Sequence, residues 1–164
     1  MRVRHIGLQA FVVGILVCLA GLSEAATAIR MTPSGDGIEL EYVGENGLSA
    51  KDTIPIHRSG QIRYFSAGVG LEEREAKYPP FPLKLIFVAG PKAYASRVSV
   101  TIADATGAVR LQVPAEQVTG PWLFVDLPAG TYEISAMRGS QSPPKQRIEI
   151  VSGHTKTVYL RWKE

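Results

Sequence analysis

An all-β fold is what the sequence predicts, in the form of a seven-stranded antiparallel β-sandwich over residues 83–162. Three observations carry the expectation. Apolar residues alternate with polar ones in short runs, turn sequences recur between the runs, and no long helical period interrupts them. The clearest run is Val98-Ser99-Val100-Thr101-Ile102, where one parity is apolar and the other small and polar. Such a strand has one buried face and one wet face, as antiparallel sheets do.

Taken from the start of the chain, residues 1–25 have the three parts of a secretory signal peptide: Arg2 and Arg4, an uncharged apolar run from Ile6 to Leu22, then Ser23-Glu24-Ala25-Ala26. Ser23 and Ala25 fit a cut after Ala25, with Ala28 as the second choice. The one cysteine of the chain, Cys18, follows Val17, which lacks the small side chain that lipid attachment at a cut requires. The expected location is therefore periplasmic or secreted, with membrane contact through the leader alone. A chain cut there keeps no thiol for a disulfide or a metal.

Residues 26–82 are expected to be a partly ordered lead with one strand and a short helix. The strand is Ile38–Val43, ended by Gly44-Glu45-Asn46-Gly47, since Asn-Gly supplies the positive φ of tight turns. Pro55 keeps Ile54-Pro55-Ile56 out of any central strand, because it has no N–H for a ladder. Gln61–Ala67 reads as a strand closed by Gly68-Val69-Gly70. The helix is placed at Leu71–Tyr78, with Glu72 and Glu73 at its positive end, Glu73 and Lys77 spaced for an ion pair, and Pro79, Pro80 and Pro82 to stop it. The sandwich strands follow: Leu83–Ala89, Arg97–Asp104, Val109–Pro114, Trp122–Asp126, Thr131–Arg138, Lys145–Val151 and Thr155–Arg161. Asp104-Ala105-Thr106-Gly107, Pro128-Ala129-Gly130 and Ser152-Gly153-His154 supply turns between them. In Trp122–Leu127 both parities are large and apolar, so this strand is expected to be covered on both faces.

The run Leu127-Pro128-Ala129-Gly130-Thr131-Tyr132-Glu133-Ile134, after the strand pair at 98–102 and 109–113, resembles the closing half of a carboxypeptidase regulatory-like domain. That family is a transthyretin-like, or prealbumin-like, sandwich of seven strands, so the resemblance implies a transthyretin-like, Ig-like arrangement, and it covers about residues 83–162. In its signature Gly130 permits the turn into the strand, and Tyr132 points inward with a hydroxyl able to reach a backbone group at the corner. Gly68-Val69-Gly70-Leu71-Glu72-Glu73-Arg74 before Leu83-Lys84-Leu85 also resembles small exported bacterial proteins that carry such a domain. The family names no catalytic residue, so the resemblance implies none.

Charge excludes a nucleic-acid face. The chain has 18 Lys+Arg and 15 Asp+Glu, and removal of Arg2, Arg4 and Glu24 leaves 16 and 14, a net +2 with signs interleaved. His57 and His154 are far apart in sequence, each without neighbouring ligand types, so no metal is expected. No Gly-x-Ser-x-Gly elbow occurs. Glu72, Glu73 and Glu75 lack calcium-loop spacing, and Gly68-Val69-Gly70 lacks the rest of a phosphate loop. No catalytic residue, cofactor or metal is assigned. The expected function is a non-enzymatic accessory module that binds a partner protein through sheet edges or loops. The alternative is a carbohydrate or cell-wall binding module, with Trp122, Tyr159 and Trp162 as candidate ligand contacts, and a hydrolase is a third, remote class. Burial of these aromatics would favour the partner protein.

Overall fold

The computed structural model describes residues 28–44, 46–91 and 93–163. The expected signal peptide at 1–25, with Cys18, lies outside them. The chain forms thirteen strands, one short helix and a 3-10 turn among the described residues. In order these are β1 (Ala28–Met31), β2 (Gly37–Val43), β3 (Ser49–Pro55), β4 (His57–Ser59), β5 (Ile62–Ala67), α1 (Leu71–Glu75), β6 (Leu83–Ala89), β7 (Ala93–Tyr94) and β8 (Ser99–Asp104). Then come β9 (Val109–Val113), a 3-10 turn (Ala115–Gln117), β10 (Trp122–Val125), β11 (Gly130–Met137), β12 (Gln146–Ile150) and β13 (Lys156–Trp162). The all-β class and the sandwich are as the alternation requires.

Three sheets stack as three layers. One has the order β1-β2-β3, the central one β13-β6-β10-β5-β4 with β7 against β6, and the third β12-β11-β8-β9. The first core lies between the central and third sheets. It joins Leu83, Leu85, Phe87, Leu123, Val125, Val158, Leu160 and Trp162 to Val100, Ile102, Leu111, Ile134 and Ile148. The second core lies on the opposite face of the central sheet, where Phe65, Ile86, Val88, Trp122 and Phe124 meet Ile38, Leu40, Ile54 and Ile56. β10 belongs to both: Leu123 and Val125 enter the first core and Trp122 and Phe124 the second, so all four residues are buried. The doubly apolar reading of this strand is correct.

The described residues between 28 and 82 form more strands than the expected partly ordered lead with one strand. β1, β2 and β3 form a complete sheet that seals the second core, and β4 and β5 extend the central sheet itself, β5 pairing with β10. The polar side chains of β3 and β4 hid them as strands, because each is an edge with little to bury. Pro55 sits at the end of edge strand β3, consistent with its missing donor. The turn from β2 to β3 is built on Gly47 at φ +73° and the Asn46 side chain, which accepts from the Leu48 N–H at 3.0 Å.

The helix is shorter than the 71–78 expected. It ends at Glu75 because Ala76 turns extended ahead of the proline-rich segment. Glu73 does not reach for Lys77. Its carboxylate accepts from the N–H groups of Gly68, at 2.6 Å, and Val69, at 3.1 Å, while Arg74 donates to the carbonyls of the same two residues.

One pairing departs from the antiparallel expectation. β13 runs parallel to β6 over seven residue pairs, from Lys156 with Leu83 to Trp162 with Ala89. Alternation cannot distinguish the two directions, since the same parity is buried either way. Gly120 fixes the approach of β5 to β10: a Cβ there would stand 2.3 Å from the Ala67 carbonyl oxygen. The buried Ser66 hydroxyl completes this crossing, accepting from the Gly120 N–H at 2.9 Å.

Candidate functional site

Register decides which side chains of β13 meet water. Val158, Leu160 and Trp162 enter the first core, so Thr157, Tyr159 and Arg161 project from the opposite face of the central sheet. There Thr157 lies beside Lys84, Tyr159 beside Ile86 and Arg161 beside Val88. Val88 in turn pairs with Tyr94 of β7, and Ile86 with Trp122 of β10. The result is a margin of sheet flanking the buried Ile86 and Val88, on which Tyr159 is 59% and Tyr94 52% exposed. β13 is also the last strand of its sheet, so alternate N–H and C=O groups along its outer side have no partner strand among the described residues.

Cations occupy this face. The Arg74 guanidinium lies 5.5 Å from the centre of the Tyr94 ring, and the Lys84 ammonium lies 3.5 Å above the Trp122 ring and 5.2 Å from that of Phe124. Partial burial lowers the Lys84 pKa. Its charge is balanced by π faces, an arrangement worth about 0.5–2 kcal/mol. Arg161 donates to the Gly90 carbonyl at 3.1 Å. The ion pairs of the described residues lie elsewhere: Arg30 and Lys51 with Glu39, Arg30 with Glu41, Arg63 with Asp126, Arg110 with Asp104, and Lys145 with Glu133.

Two buried polar atoms beneath the same face lack a hydrogen-bond partner, the Tyr78 hydroxyl and Trp122 Nε1. Burial raises the Tyr78 pKa, and the negative charge of Glu73 adds to the rise. The ring of Tyr78 packs on Phe65 and Phe124, with centroids 5.3 and 5.0 Å away.

Of the aromatics singled out from the sequence, only Tyr159 is at the surface. Trp122 is 9% exposed and sits in the second core. Trp162 is 2% exposed, meets Phe87 edge-on at 6.3 Å and donates from Nε1 to the Gln141 carbonyl at 3.1 Å. A flat platform of Trp122, Tyr159 and Trp162 is therefore not formed: Trp162 points inward with its parity, and Trp122 is covered by the lead. Tyr94, Arg74 and Lys84 were not legible as site residues. They are brought to Tyr159 by pairing across β6, and the two-residue β7 leaves no periodic signal.

The other chemistry-bearing residues are occupied locally. His57 stacks on Tyr64 with centroids 5.4 Å apart, and His154 lies in an exposed turn with Nδ1 3.3 Å from the Ser152 carbonyl. No group of three or more His, Cys, Asp or Glu side chains converges among the described residues. A groove of about 610 Å³ opens at the end of the sandwich between Gln61, Asp104–Thr106, Arg110 and Pro128–Tyr132. Its polar groups hold its own turns. Asp104 accepts from the Thr106 hydroxyl at 2.6 Å, from the N–H groups of Thr106 and Ala108, and from Arg110 Nε at 2.7 Å. The Thr106 hydroxyl, followed by these other donors, pulls the Asp104 pKa down to about 2. The Tyr132 hydroxyl donates to the Pro128 carbonyl at 3.0 Å, the corner bond that the Leu-Pro-x-Gly-x-Tyr run predicts.

No family model matches this chain, and neither a curated protein nor a solved structure matches it.

Proposed function

We propose that this protein is an exported, non-enzymatic accessory module that binds a partner protein along β13, by addition of an extended segment to the open edge of the central sheet. One observation carries the reading: an edge strand seven residues long borders a face where Tyr159, Tyr94, Arg74 and Arg161 are gathered. Tyrosine and arginine are the side chains enriched where proteins bind one another, and an open edge offers main-chain hydrogen bonds to an added strand. The leader at 1–25 and the resemblance to a carboxypeptidase regulatory-like domain support the location and the accessory role.

Site-directed photo-cross-linking tests it. A benzophenone side chain in place of Tyr159 should give discrete adducts with another protein in intact exporting cells, while one in place of Gln112 on edge strand β9 should not. Absence of an adduct at Tyr159, or the same adducts at both positions, would contradict the proposal.

The exposure of Tyr94 and Tyr159 on one sheet face favours a second reading, a glycan contact. A pull-down on insoluble cell-wall polysaccharide tests it; retention lost in Tyr159→Ala would support it against the protein partner.

A further inference from the structure

The charge of the β13 face points to the chemistry of its occupant, and the argument rests on the strand-addition reading above. We infer that the segment added to β13 is acidic, with carboxylates directed at Arg161 and its neighbours and an apolar side chain on Tyr159. On the Tyr159 face of β13 the charged side chain is Arg161, whereas Lys156 shares the parity of Val158 and Leu160; no residue of β13 carries a carboxylate, and Lys163 and Glu164 follow the strand. Arg74 and Lys84 add two cations from the neighbouring elements of the same face. The ion pairs among the described residues lie elsewhere, and these two are balanced by ring faces, with Arg74 also donating to the carbonyls of Gly68 and Val69. Arg161 gives one hydrogen bond, to Gly90, and its fork of five donors leaves the rest for a carboxylate.

A second copy of this chain fits poorly. Pairing β13 with β13 would set two strands side by side that each carry two cations, Lys156 and Arg161, and no carboxylate, and like charges opposite one another on a sheet are destabilising. A carboxylate-bearing strand reverses that sign. Thr157, small and beside Lys84, leaves room on the face for a side chain of the incoming strand, and Tyr159 offers its ring two residues on. Complementary charge also gives fast, salt-sensitive association.

The test uses the isotope-labelled protein and two synthetic peptides of about eight residues, one alternating Glu with Val and one alternating Lys with Val. The Glu peptide should shift the amide resonances of Thr157–Arg161, with affinity falling at least tenfold in high salt and in Arg161→Gln. Arg161→Glu should exchange the preference and admit the Lys peptide. Equal binding of both peptides at β13 would overturn the acidic assignment and leave strand addition standing. No shift at β13 with either peptide would overturn it too, and the cross-link at Tyr159 then decides separately whether the edge binds a protein at all. Shifts that arise in a mixture of the protein with itself, without peptide, would assign the edge to a second copy instead.

Discussion

Tyr159 and Trp162 stand on one strand with opposite parity, and that difference decides what each side chain does. Trp162 fills the first core and ties the strand to Gln141, whereas Tyr159 presents its ring to water. Trp162→Ala should therefore cost about 3–5 kcal/mol in urea unfolding, as a large buried aromatic does. Tyr159→Ala should change stability by less than about 0.5 kcal/mol while abolishing peptide binding at the edge. Equal stability losses would place Tyr159 in the core and remove it from the site. Asp104 makes a prediction of its own. Its folded-state pKa of about 2 lies below the ordinary 3.8, so protonation favours the unfolded chain. The stabilisation is complete above the ordinary value and is lost as pH falls through it toward about 2. Thermal melts of Asp104→Asn should accordingly show a smaller loss of stability across that acid range than the parent protein, and parallel curves would contradict the assignment.

Elements were legible in proportion to what they bury. Leu83–Ala89 was bounded as observed, and the later strands were placed within two residues at either end, because each buries alternate residues in the first core. β1, β3 and β4 carry few apolar residues and border polar turns, so their sequence looks like loop, and only the partner strand makes them extended. The open face next to β13 was legible in one residue, Tyr159; Arg74, Lys84 and Tyr94 meet it through a parallel pairing and a two-residue strand that alternation does not encode. α1 shows local chemistry outweighing periodicity. Its Glu73 holds the loop at Gly68 and Val69, so Glu73→Ala should speed hydrogen exchange at those two amides without altering exchange in β10, and unchanged protection would show that the carboxylate has no such role.

The three layers depend on one another through the central sheet. Phe65, Phe81, Ile86 and Phe124 are buried under the sheet formed by β1–β3, so that sheet acts as a lid on the second core. A chain lacking residues 28–56 should bind a hydrophobic dye strongly and lose solubility, since an exposed apolar face of that kind is an aggregation hazard. A soluble, cooperative sandwich that ignores the dye would show instead that residues 83–162 stand alone. The site depends on the same arrangement, because the second core buries the central sheet as far as Ile86 and Val88 of β6 and leaves Tyr159 of β13 exposed at its margin. Residue-resolved amide exchange of the intact protein tests this division most directly. Slow exchange throughout β2, β5 and β10, with alternate fast amides along β13, is the pattern the three-layer arrangement requires; rapid exchange across residues 28–67 beside a protected 83–162, or uniform protection of β13, would contradict it.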